Sequence, residues 1–241
     1  LCPGKEGTYE FLENVLLEVF DLFPNPYIHI GGDEAGKDNW AVCPDCQARM
    51  KTEGFTEVEQ LQSYMIKRIE SFAHEHGKRI IGWDEILEGG LAPDATVMSW
   101  RGTEGGMKAI AQGHDVIFTP TQYCYFDYKQ DEAQYKPVGK FVPLEKVYSF
   151  EPMLEGISKE DEHHVLGLQG NLWTEHVLED WHAEMQIYPR LFAISEVGWT
   201  MAENKDWPAF ERRASVLSDV AREWGYVVYR PGLTNADGLV K

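Results

Sequence analysis

Two adjacent carboxylates, Asp33 and Glu34, follow the run His29-Ile30-Gly31-Gly32. Packed side by side at the end of a strand, such groups raise each other's cost of ionising. A protonated acid beside an ionised neighbour is what cleavage of a glycosidic bond needs. Gly31 and Gly32 let the backbone turn and come close to a ligand. A solvated acidic turn would have the same two residues, because the chain is acidic throughout, with a net charge of −18. The His-x-Gly-Gly lead-in and the ends of the later strands tip the balance toward a site.

The elements that must position these groups can be read in order. A helix is expected over 8–22, with Phe11, Leu12, Val15, Leu16, Val19 and Phe20 as its apolar stripe and Pro24 ending it. Residues 27–30 then form a short strand. Residues 35–55 read as a long connection carrying Trp40 and a cysteine pair, and connections of that length are usually functional or disordered. Thr56-x-x-Glu59 is a capping box that opens a helix with Val58, Leu61, Met65, Ile69, Phe72 and Ala73 on its core side. Strands follow at 79–83, 96–100, 115–118 and 165–169, with a short helix over 103–112 and an irregular stretch over 129–164. One closing helix spans about 181–198 with a kink at Pro189, and another runs from an Asp206 cap to Trp224.

Strands that alternate with helices imply an α/β fold with a parallel sheet and helices outside it. In an α/β barrel the catalytic groups sit on the loops after the strands. Here every strand end carries acidic or aromatic residues: Asp33 with Glu34, Trp83, Trp100, Tyr125 with Asp127, and Trp173 with Glu175. A chance scatter would not favour strand ends.

Composition narrows the partners. The negative charge argues against nucleic acid and against an anionic membrane surface, and suits a neutral substrate. Eight tryptophans provide faces for stacking on sugar rings, or simply fill a large core. No stretch is long and apolar enough for a membrane span, and no secretory signal is visible. There are four cysteines. Cys43 and Cys46 form a Cys-x-x-Cys, but no second pair follows at zinc-site spacing, which argues against a structural zinc. A loop disulfide and two free thiols both remain open. Cys2 and Cys124, far apart in sequence, read as ordinary buried or unpaired residues.

The runs His29-Ile30-Gly31-Gly32-Asp33-Glu34, Gly82-Trp83-Asp84-Glu85, Ser99-Trp100-Arg101-Gly102, Tyr125-Phe126-Asp127 and Leu172-Trp173-Thr174-Glu175 together resemble glycoside hydrolase family 20, the β-N-acetylhexosaminidases. They stand in the family's order and spacing, and the resemblance covers the chain to about Gly232. It implies a TIM-type (β/α)8 barrel of which this chain supplies strands 4 to 8. Residues 1–232 would be the C-terminal portion of the catalytic domain and 233–241 a tail. The first three strands, with an arginine that grips sugar hydroxyls and an Asp-His pair that supports the acid, would lie upstream.

The resemblance further implies retaining hydrolysis in which the substrate's own 2-acetamido oxygen attacks the anomeric carbon, giving an oxazolinium intermediate. Glu34 would be general acid and then general base. Asp33 would accept the acetamido N–H, and Tyr125 would donate its hydroxyl to the acetamido oxygen. Trp83, Trp100 and Trp173 would wall the sugar pocket, and Asp127 and Glu175 would accept hydrogen bonds from sugar hydroxyls. Asp84 and Glu85 read as helix-start or supporting groups. The implied ligands are glycans or chitooligosaccharides ending in N-acetylhexosamine, with no cofactor and no metal, and the family's habit is periplasmic or secreted. Two other readings stand beside this one: a retaining glycosidase that pairs Glu34 with a Glu175 nucleophile, and a catalytically silent sugar-binding fragment. The Asp33 and Tyr125 clamp favours substrate assistance over a carboxylate nucleophile.

Overall fold

The computed structural model describes residues 1–131, 134 and 138–231; the expected tail at 233–241 lies outside the described residues. The chain divides into two compact units, Leu1–Ile117 and Phe118–Lys241.

The first unit begins with α1 (Glu6–Leu22), followed by β1 (Tyr27–His29), α2 (Asp38–Val42), α3 (Pro44–Glu53) and α4 (Glu59–Glu75). β2 (Arg79–Trp83), a 3-10 turn (Asp84–Leu87), β3 (Thr96–Ser99), α5 (Glu104–Ile110) and the start of β4 (Val116–Phe118) complete it. β1 pairs in parallel with β2, His29 opposite Ile81, and β2 with β3, Trp83 opposite Met98. The Val97 N–H donates to Asp115 O just before β4 (2.9 Å). Ile80 and Val97 are fully buried within this sheet, and α4 covers it with Leu61, Ile66, Ile69 and Ala73.

The second unit carries the end of β4 and then α6 (Thr121–Cys124), β5 (Tyr128–Lys129), β6 (Val138–Phe141) and α7 (Leu144–Tyr148). β7 (Val165–Leu168), α8 (Asp180–Ile187), α9 (Arg190–Trp199) and α10 (Trp207–Glu223) follow. The Gln169 N–H donates to Phe118 O (3.1 Å), which sets the end of β7 beside the end of β4. Phe118, Val147 and Phe210 are core residues of this unit.

The α/β alternation and the positions of the five expected strands agree with the sequence, whereas β5, β6 and α7 fall in or beside the stretch expected to be irregular. Several local expectations do not. Residues 35–55 are mostly helical: Cys43, in an extended conformation, is the N-cap of α3, and Pro44 takes its first turn, where a missing N–H costs nothing. The Thr56 capping box does not form. Gln60 Oε1 accepts the N–H groups of Thr56 (2.8 Å) and Glu57 (2.9 Å) instead. The helix expected to kink at Pro189 is broken there into α8 and α9, since Tyr188 is extended (φ −94°, ψ 136°). On α1 only Tyr9 is buried, while Phe11 and Val15 of the expected stripe are 58% and 43% exposed. The Asp206 cap forms as expected, Oδ1 taking the Ala209 N–H at 2.9 Å. Among the described residues no helix is long and apolar enough to cross a membrane.

Candidate active site

In the first unit, Asp33, Glu34, Trp83 and Trp100 all lie at or just past the C-terminal ends of β1, β2 and β3. The Trp83 N–H donates to Gly31 O (2.9 Å), so the turn after β1 is tied to the last residue of β2. Gly31 and Gly32 have φ of 74° and 97°, values that favour glycine. A Cβ on Gly32 would come within 2.6 Å of Ile86 Cγ2, and one on Gly82 within 2.7 Å of the same atom. Ile86 therefore packs tightly on both strand ends at once.

Glu34 follows with φ 48°, the one non-glycine residue at positive φ among those described. A left-handed conformation costs about 1–2 kcal/mol for an ordinary side chain, and such strain clusters at functional sites. Both Asp33 and Glu34 are exposed. The sheltered, side-by-side pair expected from the sequence is thus not built by the described residues around it; the turn is open to solvent on this side.

His29 orients the turn. Its Nδ1 accepts the Gly31 N–H (3.1 Å), which leaves the ring proton on Nε2 when the imidazole is neutral. Its ring lies 4.7 Å from that of Trp83. Loss of water on that side lowers the pKa of His29, against the upward pull of Asp33. Trp83 is 9% exposed.

Asp84 and Glu85 are buried and hold the end of β3. Asp84 Oδ2 accepts the N–H groups of Trp100 (2.9 Å) and Arg101 (3.1 Å), and Glu85 Oε2 accepts the Trp100 indole N–H (2.9 Å). Their supporting role agrees with the sequence reading. Arg101 also donates to Asp84 and to Glu88 (3.2 Å), and Lys37 donates to Glu88 (2.9 Å). Burial pushes the Glu88 carboxyl up, but the hydrogen bonds and charges of Lys37 and Arg101 outweigh it and leave its pKa lowered.

One supporting residue was missed from sequence. Gln62, 4% exposed on α4, donates its amide to Gly32 O (3.2 Å) and Glu85 O (3.0 Å). It clamps the carbonyl just before Asp33. Its only signal was a polar residue amid the apolar stripe.

In the second unit, Tyr125, Asp127 and Trp173 come together. The Tyr125 and Trp173 rings lie 6.2 Å apart. The Phe126 N–H donates to Asn171 O (2.6 Å) and the Asn171 N–H to Cys124 O (2.7 Å), so the two segments run side by side. Tyr125 is 6% exposed. Burial raises its pKa well above the usual phenol range, with the Trp173 side chain opposing. Burial likewise raises the carboxyl of Asp127, with Arg190 pulling down and Glu175 pushing up. Asp127 Oδ1 is buried and has no hydrogen-bond partner among the described residues. Trp173 and Glu175 are exposed.

Arg190, at the start of α9 and fully buried, is the second residue that sequence missed. Its guanidinium donates to the backbone carbonyls of Phe126, Tyr128 (2.9 Å), Val142 (3.0 Å) and Gln186 (2.7 Å). It also sits 4.9 Å over the Phe126 ring. Gln186 extends the cage by donating to Asp127 O (2.9 Å). The Phe126–Tyr128 backbone is therefore held from behind by one planar cation. Burial pulls the pKa of Arg190 down to about 9, and Asp127 opposes it. Its carbonyl partners favour the charged form, and a guanidinium does not lose its proton under ordinary conditions.

The profile for the glycosyl hydrolase family 20 catalytic domain matches residues 1–202. The chain belongs to glycosyl hydrolase family 20. It is 47% identical over 215 residues to a β-hexosaminidase of Porphyromonas gingivalis, a match covering 88% of this chain and 28% of that protein. It is 38% identical to a β-hexosaminidase of Vibrio furnissii, covering 82% of this chain and 33% of that one. A solved exo-β-N-acetylglucosaminidase of Vibrio harveyi, in complex with N-acetylglucosamine, superposes with a TM-score of 0.89 at 33% identity, over 96% of this chain and 37% of that one. The chain thus spans about a third of the length of these family 20 relatives.

Proposed function

We propose that this chain carries catalytic groups of a β-N-acetylhexosaminidase, which removes terminal β-linked N-acetylglucosamine or N-acetylgalactosamine with retention of configuration. The observation that carries this reading is the left-handed backbone of Glu34 (φ 48°), directly after Asp33 at the end of β1 in a family 20 chain. A carboxyl kept at a conformational cost directly after Asp33 supports an acid at this position. Retention here uses the substrate's acetamide as nucleophile. The acetamido oxygen attacks the anomeric carbon, the glycosidic bond breaks, and Glu34 gives its proton to the leaving oxygen. Glu34 then takes a proton from the water that opens the oxazolinium ring.

Asp33 accepts the acetamido N–H and offsets the positive charge that grows on the ring. Tyr125 donates to the acetamido oxygen. Its raised pKa supports the role, since a phenol that keeps its proton remains a donor. Trp83, Trp100 and Trp173 wall the sugar. Asp127 and Glu175 accept sugar hydroxyls, and the orphan Oδ1 of Asp127 is an acceptor in want of a donor. In the whole protein, β1 to β4 and β7 would serve as the fourth to eighth strands of a (β/α)8 barrel. The exposed Phe11 and Val15 on α1 support further chain packing there, because large apolar patches rarely stay bare.

Glu34→Gln in the full-length enzyme is expected to lower turnover of substrates with poor leaving groups by about 10²–10⁴-fold, and to spare good leaving groups in the first step, measured by single-turnover kinetics. A thiazoline mimic of the cyclised intermediate is expected to bind tightly, and less so after Asp33→Asn or Tyr125→Phe. Equal losses on both substrate types would remove Glu34 from the acid role, and a trapped sugar ester on Glu175 would replace substrate assistance by a carboxylate nucleophile.

A further inference from the structure

Three sulfur atoms widely separated in sequence meet in the first unit. Cys2 Sγ stands 3.6 Å from Cys43 Sγ and 3.5 Å from Cys46 Sγ, and all three lie within 4.8 Å of one another. The sequence reading left Cys2 as an ordinary residue. The fold corrects this by laying the N-terminal segment across the Cys43–Cys46 turn.

The approach is built in. A Cβ on Gly4 would lie 2.3 Å from Asp45 C and 2.5 Å from Cys46 N, so only glycine lets the turn at residues 2–5 settle against this segment. Tyr9, fully buried, donates its hydroxyl to Pro3 O (2.7 Å), and Thr8 Oγ1 donates to Cys2 O (2.8 Å). Trp40 donates its indole N–H to Leu1 O (3.0 Å). Cys46 is fully buried, while Cys2 and Cys43 are half-buried.

Two chemistries compete for such a cluster. A disulfide needs its sulfurs about 2.05 Å apart and joins only two of them, leaving the third without a purpose in this arrangement. A tetrahedral zinc with Zn–S bonds of about 2.3 Å places its sulfurs on edges of about 3.8 Å, close to both measured separations. Zinc is also held by three protein ligands when water or another small ligand takes the fourth position. No other His, Cys, Asp or Glu among the described residues joins the cluster.

We propose that Cys2, Cys43 and Cys46 form a site for a soft divalent cation, Zn²⁺ foremost, with the fourth position taken by water or a small anion. Binding forms three Zn–S bonds and releases one proton for each sulfur that begins as a thiol. The ion staples the entry to α1 onto the turn between α2 and α3, and so fixes the connection that leaves Asp33 and Glu34. It takes no part in bond cleavage.

The test uses the full-length protein, reduced and stripped of metal under anaerobic conditions, titrated with Co²⁺ and then Zn²⁺. One equivalent of Co²⁺ is expected to give thiolate-to-metal charge-transfer absorption and the red d–d bands of tetrahedral coordination, which Zn²⁺ then bleaches. Cys2→Ser and Cys43→Ser are each expected to weaken binding by at least about a hundredfold, a loss that even an outer-shell partner can cause. Cys124→Ala is expected to keep the bands. Should Cys2→Ser fail to fold, the alkylation rate of Cys2 in the wild-type protein gives the same reading, with protection by Zn²⁺ expected. Reactive thiols with no cobalt bands, or alkylation indifferent to Zn²⁺, would overturn the site. A Cys2 disulfide to Cys43 or Cys46 that persists in mild reductant would overturn it in favour of a redox staple.

Discussion

The turn that bears Asp33 and Glu34 is exposed, bent into a left-handed conformation and fastened at its glycines, by the Trp83 N–H, the His29 ring and the Gln62 amide. The segment that bears Tyr125 and Asp127 is buried, and the Arg190 guanidinium grips its carbonyls from behind. Under the proposed chemistry the two must do different things. An acid that serves first the leaving group and then a water has to reach two atoms. A donor that keeps an acetamide within attacking distance has to stay still, since a misplacement of about 1 Å can cost on the order of a hundredfold in rate. Strain with freedom suits the first task, and a fully bonded cage suits the second.

The largest effect that tests this contrast is expected at the cage. Arg190→Met removes the cation and strands three buried carbonyls and one part-buried one, so stability should fall by about 3–5 kcal/mol, at about 1–3 kcal/mol for each buried acceptor left unsatisfied. Urea unfolding measures it. Arg190→Lys should recover little, since an ammonium cannot reproduce the planar fork. A loss below about 1 kcal/mol, the range of an exposed ion pair, would mean the segment holds itself.

A smaller effect separates the regions by pH. Burial raises the folded-state pKa of Asp127. A carboxyl raised in this way contributes stability that is complete below its unfolded pKa and lost as pH rises through the folded value. Asp127→Asn should therefore be more stable than the parent at neutral pH, with the gap closing on acidification. Glu88, whose pKa is lowered, contributes stability above its unfolded pKa that is lost as pH falls through the folded value. Glu88→Gln should be less stable at neutral pH and equal to the parent in acid. Melting curves across pH 3 to 8, on the order of the carboxylate titration range, would show two slopes of opposite sign; parallel slopes would erase the contrast.

The smallest effect is the sharpest. Glu34→Gly removes a left-handed penalty of about 1–2 kcal/mol and adds unfolded-chain entropy worth about 0.4–1 kcal/mol. A gain near 0.5–1 kcal/mol in stability should accompany loss of turnover. A variant less stable than the parent would show that Glu34 is held by packing and not by function.

Much of this was legible beforehand. Pro24 marked the break between α1 and β1, and tryptophan or acidic residues marked the C-terminal ends of the strands. The fold class followed from strand and helix alternation. What escaped was whatever depends on a distant partner. Gln62 and Arg190 look like stray polar residues until the carbonyls they face are known. Cys2 lies 41 residues from Cys43, and no local pattern joins them. α2 and α3 hid because prolines and cysteines read as punctuation, although Pro44 in fact opens a helix. The bare face of α1 escaped for another reason: periodicity reveals an apolar stripe but not what covers it.

The Arg190 cage also bears on the order in which the molecule is made. Phe126 and Tyr128 wait for a side chain 64 and 62 residues further along. During synthesis those carbonyls leave the ribosome well before α9 exists, and water must satisfy them in the interval. Closing so long a loop carries an entropic cost before any bond repays it, and contacts of this range slow folding. Tyr125 is therefore expected among the last groups to find its place, although it stands near the start of the second unit in the chain.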